Sequence, residues 1–117
     1  GLSDEGLARK SAVIDRAIAL HRPDPEDPVD VIAKVGGYDI AAMTGFYIGC
    51  AIHRTPAVMD GFISTVAALA AVRLCPAVRD ALTASHLSAE PGAGYVMEEL
   101  GLSPLLKSAR GRCQSCP

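Results

Sequence analysis

Apolar residues recur at helical spacing from the start of the chain, with Leu7, Val13, Ile14, Ala17, Ile18 and Leu20 on one arc. Ser3-Asp4-Glu5 offers a cap and an acidic first turn ahead of them, so the pattern predicts a helix from about Asp4 to His21. One cation interrupts the arc. Lys10 projects near its middle, while Arg9, Asp15 and Arg16 lie off it. The stretch "RPDPEDP", Arg22–Pro28, holds three prolines and predicts a rigid connector. "VDVIAKVGG" predicts a short helix stopped by Gly36-Gly37, and a longer helix, Tyr38–His53, follows the turn.

"TPAVMDG" is a brief apolar run between a proline and an Asp-Gly turn, which predicts a buried strand near Ala57–Asp60. An Ala-rich helix, Phe62–Leu74, is expected next, halted by Pro76. "VRDALTASH" is open between a short helix and a helical turn feeding a strand that ends near Ser85. "EPGAGYVMEELG" predicts a helix with Pro91 in its first turn and Gly101 as its stop. Helix, strand, helix, strand, helix is the rhythm of an α/β domain with a parallel sheet. In such sheets ligands bind beyond the C-terminal ends of the strands, where helix N-termini offer free N–H groups to anions. Asp60-Gly61 and Ser85–Ser88 fall at those places.

Composition narrows the picture. The 117 residues make at most one domain, and half are hydrophobic but only 4% aromatic, with no Trp. The core must therefore be built from Ala, Val, Ile and Leu. A net charge of −2 provides no basic field, which argues against a nucleic-acid partner. The longest apolar runs, Ile40–Ile52 and Gly61–Val72, are shorter than the roughly 18 residues a membrane span needs. No signal peptide is visible, so the expected compartment is the cytoplasm. No initiator Met opens the chain, which suits a processed product or a fragment. Cys50 and Cys75 sit singly in apolar patterns and are expected to be reduced thiols. Cys113 and Cys116 form a lone CxxC, too few ligands for zinc by themselves.

Each candidate side chain has a plain alternative. Lys10 on the apolar side of its helix either snorkels to solvent or meets a phosphate or carboxylate, because a buried ammonium costs several kcal/mol unpaired. Ser88 is either an N-cap or a ligand donor, and Glu90 either complements a helix dipole or lines a pocket. His86 is a structural hydrogen-bonder or a member of a site. Asp60 is turn chemistry before Gly61 or a polar group at a strand end. Asp39 is a first-turn acid or part of the same pocket. Their shared placement at strand ends makes the joint case for a phosphorylated ligand.

Four blocks then carry a resemblance. "GLSDEGLARKSAVIDRAI", "VGGYDIAAMTG", "PAVMDGFISTVAAL" and "SHLSAEPGAG", in this order, resemble the nicotinate-nucleotide:dimethylbenzimidazole phosphoribosyltransferase family over residues 1–106. The resemblance implies a helix-rich fragment of a Rossmann-like parallel-sheet domain, drawn from the middle-to-late part of a longer, homodimeric enzyme. It implies transfer of phosphoribosyl from nicotinate mononucleotide to 5,6-dimethylbenzimidazole, giving α-ribazole 5′-phosphate for the cobalamin lower ligand, with no metal or organic cofactor. It assigns the 5′-phosphate to Lys10 and Ser88, and places Asp39, Asp60, Gly61, His86 and Glu90 around the pocket.

The same resemblance marks departures. The family's general base is a glutamate in a motif that follows "PLL". Here Pro104-Leu105-Leu106 is followed by "KSARGRCQSCP", which contains no acidic residue. A one-base frame shift in a hypothetical back-translation approaches the missing motif, so residues 107–117 are expected to be a divergent tail and Cys113 and Cys116 its by-products. The acceptor-binding part of the family is also absent. The expectation is therefore an inactive fragment, with no catalytic residue of its own, that keeps part of the phosphate pocket and self-associates through exposed apolar surface. The alternatives are a non-catalytic helical binding module and, last, a small zinc or thiol protein.

Overall fold

The structure, a computed structural model, describes residues 4–106. The chain divides into two compact units, Gly1–Tyr38 and Asp39–Pro117. The tail from residue 107, with Cys113 and Cys116, lies outside the described residues.

The first unit is a pair of helices. α1 spans Asp4–His21, as its periodicity predicts, and Arg22 ends it at a positive φ of 46°. α2 spans Pro28–Val35, with Pro28 in the first turn and Asp27 as N-cap, its carboxylate accepting from the amides of Val29 and Asp30. The connector is tied down by charge-assisted bonds. Asp30 accepts from Lys34 Nζ at 2.7 Å and from the Asp24 amide at 2.8 Å, and Lys34 also donates to the Arg22 carbonyl at 3.2 Å. The Lys34 bond, seconded by the Asp24 amide, holds the Asp30 carboxyl below its ordinary value. The apolar arc of α1 departs from expectation: the helix has no buried residue, and Lys10 is exposed. Periodicity predicts the helix and its apolar arc, but periodicity cannot say that a partner surface is present.

The second unit carries the core. α3 spans Tyr38–Ile52, one residue shorter than expected, and closes with Arg54 at φ 52° while the Thr55 amide reaches back to the Cys50 carbonyl at 2.9 Å. β1 is Ala57–Met59, α4 is Phe62–Leu74, a 3₁₀ turn covers Pro76–Ala81, β2 is Leu82–Ala84 and α5 is Ala93–Leu100. The ambiguous "VRDALTASH" is thus a 3₁₀ turn running into a strand. Gly101, at φ 61°, stops α5 as expected. Pro91 does not enter the helix; α5 begins two residues later, after a bend at Ala89-Glu90 and a turn at Pro91-Gly92.

β1 and β2 pair in parallel, with Ala57 opposite Leu82, Val58 opposite Thr83 and Met59 opposite Ala84. Parallel neighbours require a crossover, which α4 and the 3₁₀ turn supply. α4 can lie close because Ala67, Ala68 and Ala71 face inward and are wholly buried. Met59, Val78 and Leu100 fill the space between the elements. Thr44, buried on α3, donates its hydroxyl to the Ile40 carbonyl at 2.8 Å and lies 3.2 Å from the Ala67 carbonyl of α4, which ties the two helices with one polar group. Cys50 is buried and Cys75 half-buried, both as free thiols.

Leu100→Ala is expected to cost about 2–5 kcal/mol, the usual penalty for emptying a fully buried leucine site, and urea unfolding of the two proteins measures it. Tyr47, buried on α3, gives a pH test. Burial pushes its phenol above the ordinary 10.0, against a hydrogen bond with Ser64 that acts the other way. Since the fold favours the protonated phenol, this contribution is intact below about pH 10 and is lost as pH rises through the folded value. An absorbance titration should therefore show one tyrosine ionising after the others, with stability declining over the same interval.

Candidate functional site

The register of the two strands builds the site. Because Met59 and Ala84 are partners, the next residues, Asp60 and Ser85, leave the sheet side by side at its C-terminal edge. The Ser85 amide donates to the Met59 carbonyl at 3.0 Å, which carries the pairing one step past β2. A third segment joins the same edge. The Leu105 and Leu106 amides donate to the Ala84 and Ser85 carbonyls, both at 2.9 Å, and Leu106 bridges His86 in the parallel sense. The chain at Leu106 therefore runs toward the end of the sheet where Asp60 and His86 stand.

Gly61 makes the turn from β1 into α4. Its φ of 81° and ψ of 173° form a conformation essentially reserved for glycine, and it caps α4 without a side-chain bond. The hydroxyl of Thr65 donates to the Gly61 carbonyl at 2.8 Å, and that of Ser64 is 2.7 Å from the Asp60 carbonyl and 2.9 Å from that of Gly61. The backbone beneath Asp60 is thus held by two α4 hydroxyls.

Above it, three side chains form a triangle. Ser85 Oγ lies 3.1 Å from Asp60 Oδ1 and 2.9 Å from His86 Nδ1, and His86 Nδ1 lies 3.1 Å from Asp60 Oδ1. The Asp60 carboxylate is 78% exposed and the imidazole 20%, so the group opens to solvent from the carboxylate side. The following loop is braced differently. Ser88 Oγ accepts from the Glu90 amide at 3.3 Å, a local turn rather than the N-cap of α5, which is Gly92. Gly92 passes so close to Phe62 of α4 that an added Cβ would lie 3.0 Å from the ring. This contact pins the end of the "SHLSAEPGAG" loop to the start of α4.

Of the residues singled out in sequence, Asp60, Gly61 and His86 are brought together. Asp39 and Glu90 make no hydrogen bond or ion pair with them: Asp39 is exposed in the first turn of α3 with its carboxylate on the Ile40 amide, and Glu90 is exposed. Lys10 belongs to the other unit. Sequence reasoning placed Ser85 at the strand end within Ser85–Ser88 but gave it no role of its own, and it is the hub of the triangle. Its signal was positional, since it follows β2 as Asp60 follows β1. Among the described residues no set of His, Cys, Asp and Glu side chains is grouped as metal ligands would be, and no described helix is long and apolar enough to cross a membrane. A cavity of about 360 Å³ bounded by Arg54, Pro56, Asp80 and Ala81 lies at the opposite, N-terminal end of the strands, away from this chemistry.

A parallel strand edge that gathers a carboxylate, a hydroxyl and an imidazole beside a glycine turn into a helix is the ligand end of a Rossmann-like sheet. Residues 1–109 match the phosphoribosyltransferase family model, and the chain belongs to that family. More particularly, it is 58% identical over 106 residues to the nicotinate-nucleotide–dimethylbenzimidazole phosphoribosyltransferase of Desulforudis audaxviator, covering 91% of this chain and 30% of that protein. The enzyme of the same name from Acetivibrio thermocellus is 56% identical over the same share of each chain. Among solved structures, CobT from Thermus thermophilus superposes with a TM-score of 0.82 at 44% identity, over 91% of this chain and 32% of that one. The family read from the four sequence blocks is the one these comparisons return. The chain spans about 30% of the length of the curated relatives it matches.

Gly61→Ala is expected to destabilise the fold by about 1–3 kcal/mol from backbone strain alone, because nothing lies within 4 Å of the added methyl. Gly45→Ala, in the exposed interior of α3 with equally open space, should instead stabilise by about 0.5–1 kcal/mol. Thermal unfolding of both variants beside the parent checks the pair, and equal effects would contradict the strained turn.

Proposed function

We propose that this chain supplies the donor-phosphate side of a nicotinate-nucleotide:dimethylbenzimidazole phosphoribosyltransferase. Lys10 and Ser88 take the 5′-phosphate of nicotinate mononucleotide, and Asp60, Gly61 and His86 border the ribose, with Asp39 and Glu90 at the margin. The observation that carries this reading is the C-terminal strand edge, where Asp60, His86 and the Ser88 loop emerge together. A phosphate monoester carries close to two charges and needs charge-assisted donors held in place, which a lysine, a hydroxyl and free amides provide.

The family reaction transfers phosphoribosyl to 5,6-dimethylbenzimidazole with release of nicotinate, in the cytoplasm and within a homodimer. Residues 1–106 form part of that domain and 107–117 a divergent tail. A base is needed to take the acceptor's proton as its nitrogen attacks C1′, and no acidic residue follows Leu106 in this sequence. Loss of a general base costs about 10²–10⁴-fold. The 117 residues alone should therefore yield no α-ribazole phosphate above a protein-free control. Self-association is part of the same proposal, since Leu7, Leu20, Phe46 and Val58 are all exposed. Sedimentation should show species larger than a monomer.

Calorimetric titration with nicotinate mononucleotide tests the pocket. Binding is expected for the parent chain and should weaken at least tenfold in Lys10→Ala and in Ser88→Ala. Binding indifferent to both substitutions would remove the phosphate assignment. No heat from the parent chain would favour the second reading, a non-catalytic helical module, which the exposed apolar faces also suit.

A further inference from the structure

The triangle at the strand edge poses a problem of proton counting. Its three contacts join Ser85 Oγ, Asp60 Oδ1 and His86 Nδ1 at 2.9–3.1 Å. An ionised carboxylate brings only lone pairs, and the serine hydroxyl brings one proton. If Ser85 gave that proton to Nδ1, the carboxylate would accept from neither neighbour and would face an imidazole nitrogen with no hydrogen between them. If Ser85 gives it to Asp60, then Nδ1 must itself be a donor, or two lone pairs would meet at 2.9 Å. The arrangement that leaves no repulsive contact has the Ser85 hydroxyl on Asp60 and a proton on His86 Nδ1.

In the neutral ring the other nitrogen is then a bare acceptor. Nε2 of His86 has no protein partner among the described residues, and no buried side-chain nitrogen or oxygen there is without one. Nε2 therefore reaches solvent. We propose that Ser85 and Asp60 hold His86 as the Nδ1–H tautomer, so that Nε2 offers a fixed lone pair to a hydroxyl of the bound ligand. Ser85 is the positioning residue of this group. This assignment deepens the proposed donor pocket and rests on it for the ligand's class, a phosphorylated sugar. A neutral imidazole with its proton anchored on the inner nitrogen is an acceptor at the outer one. Lys10 and Ser88 answer the phosphate, whereas His86 Nε2 answers the sugar's O–H.

Nitrogen NMR of the imidazoles in the 117-residue chain tests this, because protonated and unprotonated ring nitrogens differ widely in shift. At a pH well above the ordinary histidine value of about 6.5, His86 should report Nδ1–H and a bare Nε2. His21 and His53, both exposed and outside the triangle, should report the usual mixture dominated by Nε2–H. Ser85→Ala should move His86 toward that mixture, and Ser85→Thr, which keeps the hydroxyl, should restore the parent spectrum. A parent His86 in the Nε2–H form overturns the proposal, whether or not the alanine variant folds. A folded Ser85→Ala chain with unchanged shifts overturns the role given to Ser85. Ribose 5-phosphate should shift Nε2, and inorganic phosphate should not. An equal response to both would make Nε2 an anion contact and overturn the hydroxyl assignment. If neither moves Nε2, that assignment also falls, and phosphorus NMR of the same samples then says whether the phosphate pocket has failed with it.

Discussion

Everything at the site depends on the parallel pairing of β1 with β2 in one register. With Met59 opposite Ala84, the residues that leave the two strands are Asp60 and Ser85, and they leave together. A slip of one residue would bury a different face of each strand, because side chains alternate. Ala57 and Met59 would exchange places with Val58, which is exposed. The register is thus held by core packing on one side and expressed as chemistry at the strand ends.

The packing that holds it is made possible by small residues. α4 packs in the core through the wholly buried Ala67, Ala68 and Ala71, whose small side chains allow a close approach. Close approach leaves little room for adjustment, so the chain must turn from β1 into α4 within Asp60-Gly61. That accounts for a backbone conformation few other residues could hold. The hydroxyls of Ser64 and Thr65 then add bonds to the Asp60 and Gly61 carbonyls, the latter already accepting from the Thr65 amide. Gly92 against Phe62 repeats the principle on the far side, bringing the loop from β2 onto the same helix start.

The third segment of the sheet gives the site its direction. Leu105 and Leu106 extend the parallel set beyond β2, so the chain at Leu106 runs toward the edge that Asp60 and His86 occupy. The residues after Leu106 carry no carboxylate side chain.

Helices and strands were largely legible from local signals. Caps, prolines and apolar spacing mark α1, α4 and β1 to within a residue or two, since these depend on neighbours in the chain, whereas the segment of β2 was open between helix and strand. The strand-end placement of Asp60 and His86 followed from the same order. What local signals could not carry was anything made by residues far apart. The Asp60–Ser85–His86 triangle joins positions 25 apart, and Ser85 has nothing in its own neighbourhood to distinguish it from a turn serine. The apolar arc of α1 shows the converse: its period determined a helix and a face, but burial requires a partner surface, and α1 has no buried residue. Sequence by itself determined most of the elements, their order and the family. Tertiary structure alone decided register, contact and burial, because those are set by packing between segments and not by the chemistry of any one of them.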